Sequence, residues 1–209
     1  MPVKPLRSVE RALTVLEAIG AHMPIGVAAL ARLLDEDKSA LQRVLVTLHG
    51  CGWIAPTDED YTRWRLTTRP LLVTSQAQDR SEPLQRVRAA MDALRDELDE
   101  TMFMVVPEHD QAVIVHVLEG RNLVRIAPHV GLVLPMETSA AGQAIAAPDR
   151  GWTVDHDVVA DGATCVAAAV VEGRRVHGAI VVGAPTNRMG PRRQKAVGAL
   201  LVAASTSLR

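Results

Sequence analysis

The stretch DKSALQRVLVTLHGCGWI, Asp37 to Ile54, sets Leu41, Val44, Leu45 and Leu48 at the spacing of one helical face. The other side of the same helix carries Lys38, Ser39, Gln42, Arg43 and Thr47. Polar residues opposite an apolar stripe are the ordinary solvated side of a surface helix, or they are a face that reads a ligand. The stretch alone leaves both readings open. Asp37 offers an N-cap, and acids suit a helix N-terminus electrostatically. "HGCG" then stops the helix.

Upstream, Ser8 stands before an apolar stripe at Val9, Ala12, Leu13, Leu16 and Ile19, with Gly20 behind it. This predicts a first helix capped by Ser8. "HMPIG" breaks the chain, and Val27, Leu30, Leu33 and Leu34 mark a short second helix ended by the acidic turn "DED" at Asp35 to Asp37. Downstream, "WIAP", a turn over Thr57 to Asp60, and "YTRWRLT" predict a β-hairpin. Three short helices followed by a hairpin form a winged helix-turn-helix pattern, in which the third helix is the presenting element.

Beyond it, Thr74 to Glu82 is polar and lacks a clear stripe. Leu84, Val87, Met91, Leu94 and Leu98 alternate three and four apart, a seam of two heptads and too short to argue a coiled coil. It predicts an amphipathic linker helix packed on its own domain or on a second subunit, and we expect a homodimer at minimum with this seam buried. After Asp99 the pattern changes to strands. "TMFMVVP", "QAVIVHVLE" and "NLVRIAP" read as β, "PMETSAAGQAIAA" as a turn and a small-residue helix, and "ATCVAAAVV" with "RVHGAIVVGAP" as a hairpin across "EGR". Pro191 opens a closing helix with Val197, Leu200, Leu201 and Leu208 inward. Strands without regular βαβα alternation predict an α+β fold. The expected organisation is a winged helix-turn-helix over 1–74, a linker helix over 75–100 and a mixed domain over 101–209.

These segments resemble the IclR-type bacterial transcriptional regulators. The match lies in "SVERALTVLEAI", "VAALARLLDEDKSALQRVLVTLHGCGWI" and "YTRWRLT", then in "GLVLPMETSAAGQAIAA" and "TCVAAAVVEGRRVHGAIVVGAP". The resemblance implies an N-terminal winged helix on double-stranded DNA, a C-terminal GAF-like domain that binds a small-molecule effector, and dimers that often pair into tetramers. By position it makes Lys38, Ser39, Gln42, Arg43 and Thr47 the groove-facing side, with Arg63 and Arg65 as wing arginines. It implies an effector site at Ala140, Ala141, Gly142, Asp155, Cys165, Val181 and Gly183. The chain departs from the pattern twice. The family's helical excursion after the "AAGQAIAA" helix is reduced to "PDRGW", and Val181 and Gly183 stand where polar hydroxyls are usual. The expected pocket is therefore shallow or completed by a partner, largely apolar, with Asp155 at its rim.

Physics agrees with the groove-facing assignment: Gln and Arg make bidentate contacts to adenine and guanine edges, and Lys38 and Ser39 at a helix start suit phosphates. Bulk charge contributes little. The chain of 209 residues has a formal net charge of -1, and residues 1–73 hold nine basic against eight acidic side chains; Asp58 to Asp60 at the wing tip would repel phosphate if turned toward DNA. In the second domain, the small residues at Ala140 to Ala144 suit either a ligand cavity or close helix–sheet packing in a domain that only assembles the protein. His109, His129, His156 and Cys165 show no zinc spacing. Ser139 lies in "TSAAG", not in a GxSxG elbow, and neither GxxxxGK[ST] nor GxGxxG occurs. We therefore expect no catalysis, no metal and no cofactor. Cys51 and Cys165 form no CxxC pair, which fits a reducing cytosol. The N-terminus has no signal-peptide core, no apolar run reaches membrane-spanning length, and a cytoplasmic location is expected.

Overall fold

The computed structural model describes residues 4–57, 62–78 and 82–206. The chain divides into two compact units, Met1–Arg80 and Ser81–Arg209. The first contains α1 (Arg7–His22), β1 (Ile25–Gly26), α2 (Val27–Leu34), α3 (Lys38–Gly50), β2 (Ile54–Pro56), β3 (Arg63–Leu66) and α4 (Arg69–Gln78). Three short helices pack on a three-stranded antiparallel sheet of order β1-β3-β2. None of these helices is long enough to hold alone. Their shared core of Val15, Ile19, Leu30, Leu41, Leu45, Leu48, Ile54 and Trp64 fixes them.

Several local expectations are corrected here. Ser8 is not the cap of α1: the helix starts at Arg7, and the Leu6 carbonyl accepts the Val9 and Glu10 N–H groups. The buried face of α1 is Val15, Ala18 and Ile19, while Val9 and Leu13 remain about half exposed. In α2, Leu30 and Ala31 are buried and Leu33 is exposed. The expected hairpin gains a third strand, because Ile25 pairs with Trp64. The polar stretch around Thr74 falls partly in a helix, α4, whose Leu71, Leu72 and Val73 are exposed. The turn residues Asp58 to Asp60 lie outside the described residues, as does Leu208.

The second unit holds α5 (Glu82–Leu98), β4 (Thr101–Glu108), β5 (Gln111–Leu118), β6 (Val133–Pro135), α6 (Ala140–Ala146), β7 (Trp152–His156), β8 (Ala163–Glu172), β9 (Arg175–Pro185) and α7 (Pro191–Thr206). Six antiparallel strands form one sheet of order β6-β5-β4-β9-β8-β7. Both faces of its central strands are covered, so β8 and β9 read as nearly continuous apolar runs rather than alternating ones. Alternation of side chains sends Met102, Met104, Val166, Val182 and Ile180 to one face, beneath α5 and α7. Phe103, Val105, Cys165, Ala167 and Val181 go to the other, against α6.

The seam of α5 is taken up by its own domain. Val87, Met91 and Leu98 are buried in the core beneath α7 and the sheet, and Leu94 packs against them. An ion pair from Arg86 to Glu172, 2.8 Å, ties the same helix to the end of β8. The side chain of Leu84, the remaining seam residue, lies outside the described residues. "NLVRIAP" is not a strand. Residues 119–132 form an irregular loop: the Thr101 hydroxyl donates to the Ile126 carbonyl (2.6 Å) and Arg188 to the Val124 carbonyl (2.8 Å), while the loop's own Asn122 side chain donates to the Asp99 carbonyl (2.8 Å). No helix among the described residues is long and apolar enough to cross a membrane.

Candidate functional site

The first candidate surface is built on α3. Asp37 caps the helix, its carboxylate accepting the Ser39 and Ala40 N–H groups at 2.9 and 3.0 Å. It also accepts the Ser39 hydroxyl. That hydroxyl bond, followed by the Ala40 N–H, holds the Asp37 carboxyl below the usual aspartate range. With Leu41, Leu45 and Leu48 buried inward, Lys38, Ser39, Gln42, Arg43 and Thr47 all stand exposed. On β3, Trp64 turns into the core, so Arg63 and Arg65 project from the opposite side of the strand.

These residues are not equally free. Among the described residues, the side chains of Lys38, Gln42, Arg43 and Arg63 have no hydrogen-bond or ion-pair partner and keep every donor. Ser39 spends its hydroxyl proton on the Asp37 cap, and Thr47 donates to the Arg43 carbonyl at 2.8 Å. Arg65 donates to the Leu66 carbonyl at 3.3 Å. A cleft of about 330 Å³ beside Arg43 and Thr47 is lined from the other side by Ser8, Arg11 and Ala12 of α1. The sequence reading missed Ser8 and Arg11 as surface contributors. Their signal is the three-residue spacing on α1, meaningful only once α1 and α3 are known to pack together. Cys51, exposed, ends α3.

The second candidate site lies where α6 meets the sheet. Asp155, Cys165 and Gly183 are directly paired across β7, β8 and β9, and Thr101 of β4 continues the row. Above the row, Ser139 caps α6 by accepting the Gly142 N–H at 3.0 Å, and its hydroxyl donates to the Pro135 carbonyl at 2.6 Å. Asp155 Oδ2 accepts the Ala140 N–H at 2.5 Å, and the Thr153 hydroxyl donates to the Ala140 carbonyl at 2.6 Å. Ala140, Ala141, Gly142, Asp155, Cys165, Val181 and Gly183 are thus brought together.

They are brought together without an open mouth. Asp155 is 6% exposed, not a rim residue, and Cys165 and Val181 are each 1% exposed. A Cβ on Gly142 would meet the Met136 carbonyl oxygen at 2.2 Å, and one on Gly183 would meet Phe103 Cε1 at 3.2 Å and Cys165 Sγ at 3.5 Å. Burial pushes the Asp155 carboxyl up, partly opposed by the Ala140 N–H and by His156. Burial likewise raises the Cys165 thiol, and the adjacent carboxyl raises it further. Asp155 Oδ1 is buried with no N–H or O–H partner, and Cys165, a weak donor, is its neighbour. The short connection after α6 is a single 3-10 turn, Pro148–Arg150, leading straight into β7. Among the described residues no three His, Cys, Asp or Glu side chains could hold a metal ion.

Comparison with known proteins bears on both surfaces. The family model for the IclR helix-turn-helix domain matches residues 8–58. The model for the bacterial transcriptional regulator IclR C-terminal domain matches residues 76–150, ending at the shortened connection. The transcriptional repressor IclR of Escherichia coli is 23% identical, over 96% of this chain and 88% of its own length. Among solved structures, an IclR-type transcriptional regulator from Alicyclobacillus acidocaldarius superposes with a TM-score of 0.84 at 17% identity, covering 98% of both chains. An IclR family regulator from Brucella abortus does so with a TM-score of 0.82 at 15% identity, covering 98% of this chain and 92% of the other. The fold is shared with both structures, and two matching domains occur in the same order along one chain: the protein belongs to the IclR family of bacterial transcriptional regulators, with a DNA-binding helix-turn-helix domain.

Proposed function

We propose that this chain is a sequence-specific DNA-binding regulator that works as a homodimer, with the open face of α3 in the major groove. The carrying observation is the set of unpartnered donors on that face. Arg43 and Gln42 read base edges, and Lys38 holds a phosphate at the helix start. Arg63 and Arg65 extend the contact from the wing. Ser39 and Thr47 contribute less than their positions imply, because their hydroxyl protons are committed within the helix. Two linked copies supply by effective concentration what a nearly neutral domain lacks in bulk attraction. Their half-sites are spaced by one helical turn, about 34 Å, or a multiple of it. Operators selected from a random duplex pool, followed by titration of variants, test the assignment. Arg43→Ala is expected to cost about 1–3 kcal/mol and relax one base position. Lys38→Ala weakens all sequences alike and flattens the salt slope. An Arg43→Ala protein that binds the selected operator as tightly as wild type removes Arg43 from the reading face.

A second reading concerns the C-terminal domain, and the lone acceptor of Asp155 favours it. A buried oxygen facing only the weak S–H donor of Cys165 gains free energy from a stronger donor. We infer a small, largely apolar effector with one hydrogen-bond donor directed at Asp155 Oδ1, entering by displacement of the packing around Gly183 and Phe103. Such an effector controls DNA binding only through different affinities for two arrangements of the dimer. A thermal-shift screen tests this: a ligand at about 100 times its Kd stabilises the folded form by roughly 2.7 kcal/mol. Asp155→Asn is expected to keep the bond from Ala140 and lose the ligand shift. If no metabolite shifts the wild type, the domain serves assembly alone.

A further inference from the structure

The cleft between α1 and α3 is lined by Ser8, Arg11 and Ala12 from one helix and by Ala40, Arg43, Val44 and Thr47 from the other. Both sets follow helical spacing, so two stripes face one another. The cleft of about 330 Å³ holds two guanidinium groups and two hydroxyls along its walls, and no carboxylate lines it. Arg43 has no acceptor among the described residues. Arg11 is bound only through Nε, to Glu36 Oε1 at 3.0 Å, so both of its terminal NH2 groups keep their donors. Glu36 belongs to the turn after α2 and is not part of the lining.

Two cations on opposed helices, Arg43 with all its donors and Arg11 with its two terminal NH2 groups, match an anion with several acceptor oxygens. Arg43 and Thr47 belong at once to this cleft and to the open face of α3, so the anion lies at the border of the groove-reading surface. In helix-turn-helix proteins the first helix of the motif, here α2, crosses the backbone, and α1 also packs against α3. We infer that the α1–α3 cleft seats a phosphodiester of the DNA backbone, held by the Arg11 guanidinium and the Ser8 hydroxyl beside Arg43. This rests on the DNA-binding reading above and adds a backbone contact from α1 to it. The contact carries no sequence information; it sets the register of α3 in the groove.

The test is the salt dependence of binding to a short mixed-sequence duplex, read by fluorescence anisotropy with the full chain. Loss of one phosphate contact flattens the slope of log K against log salt by about 0.9. Arg11→Ala is expected to show that flattening with a several-fold loss of affinity at low salt, and Arg11→Lys to retain most of the slope. Glu36→Gln, which removes the link to α2 but keeps Arg11, is expected to bind as well as wild type or tighter. Equal slopes for wild type and Arg11→Ala, with Lys38→Ala still flattened, overturn this inference and leave the DNA-binding reading standing. If Glu36→Gln loses affinity as Arg11→Ala does, Arg11 acts as a structural link and the inference falls. If inorganic phosphate raises the melting temperature of wild type but not of Arg11→Ala, and both bind duplex equally, the cleft belongs to a free anion and the inference again falls. Absence of any duplex binding by wild type at low salt defeats the DNA-binding reading itself, and this inference with it.

Discussion

Trp64→Ala is expected to cost the N-terminal unit about 3–5 kcal/mol of stability, a large fraction of the roughly 5–15 kcal/mol that holds a typical domain. Trp64 is 2% exposed and occupies the middle strand of the small sheet, paired with Ile25 on one side and Pro56 on the other. The His49 ring meets it edge-on, with centroids 5.6 Å apart and planes at 61°. Such aromatic pairs add to the burial itself. Because Arg63 and Arg65 flank it on the same strand, loss of the indole removes their platform as well as part of the core. Trp64→Phe is expected to recover much of the loss. Chemical denaturation followed by far-UV circular dichroism checks both, and a loss below about 1 kcal/mol, the range of surface substitutions and weak sites, would show that this residue does not organise the unit.

Arg188→Ala is expected to destabilise the C-terminal unit by about 3 kcal/mol, the lower end of the range for breaking a buried ion pair. Glu100 is 1% exposed, and Arg188 grips it with two parallel bonds, Nε to Oε1 and Nη2 to Oε2, each 2.8 Å. The same Nη2 donates to the Val124 carbonyl and so fastens the 119–132 loop. Arg193, 3.6 Å from the carboxylate, remains after the substitution, which is why the lower end applies. Leaving one partner buried and uncompensated is what makes the loss large. Replacing both partners, Glu100→Leu with Arg188→Met, is expected to cost less than Arg188→Ala alone. Urea denaturation of the three proteins decides the matter. A cost of no more than about 1 kcal/mol for Arg188→Ala would place this pair with exposed bridges.

What could be read from sequence followed the strength of local periodicity. α3 was legible because Leu41, Leu45 and Leu48 repeat cleanly and Asp37 marks its start; the β8–β9 hairpin was legible because "EGR" separates two long apolar runs. α4 was not, since its apolar residues Leu71, Leu72 and Val73 are consecutive and exposed, with no stripe to detect. "NLVRIAP" has strand composition but pairs with no strand among the described residues; its Ile126 and Val124 carbonyls are held instead by Thr101 and Arg188, residues distant in sequence, and its own Asn122 side chain reaches back to the Asp99 carbonyl. The candidate sites divide in the same way. The exposed face of α3 follows from helix geometry alone. The closed surroundings of Asp155 do not: an acid at a strand end reads as solvated, and only the approach of Ala140 from another element buries it. The pairing of Ser8 and Arg11 with Arg43 likewise depends on one helix meeting another.

The two cysteines have opposite surroundings, and this has a practical consequence for spectroscopy. Cys51 stands exposed at the C-terminal end of α3, while Cys165 is buried with its thiol pushed up toward the unreactive neutral form. The native chain therefore accepts a maleimide dye or a spin label at one position without any cysteine replacement. That position is the tail of α3, the helix proposed above to enter the groove, and about four turns of α-helix are too short to put a probe far from a duplex bound there. In a dimer the pair of labels becomes a ruler, reporting the separation of two reading helices directly as operator is added.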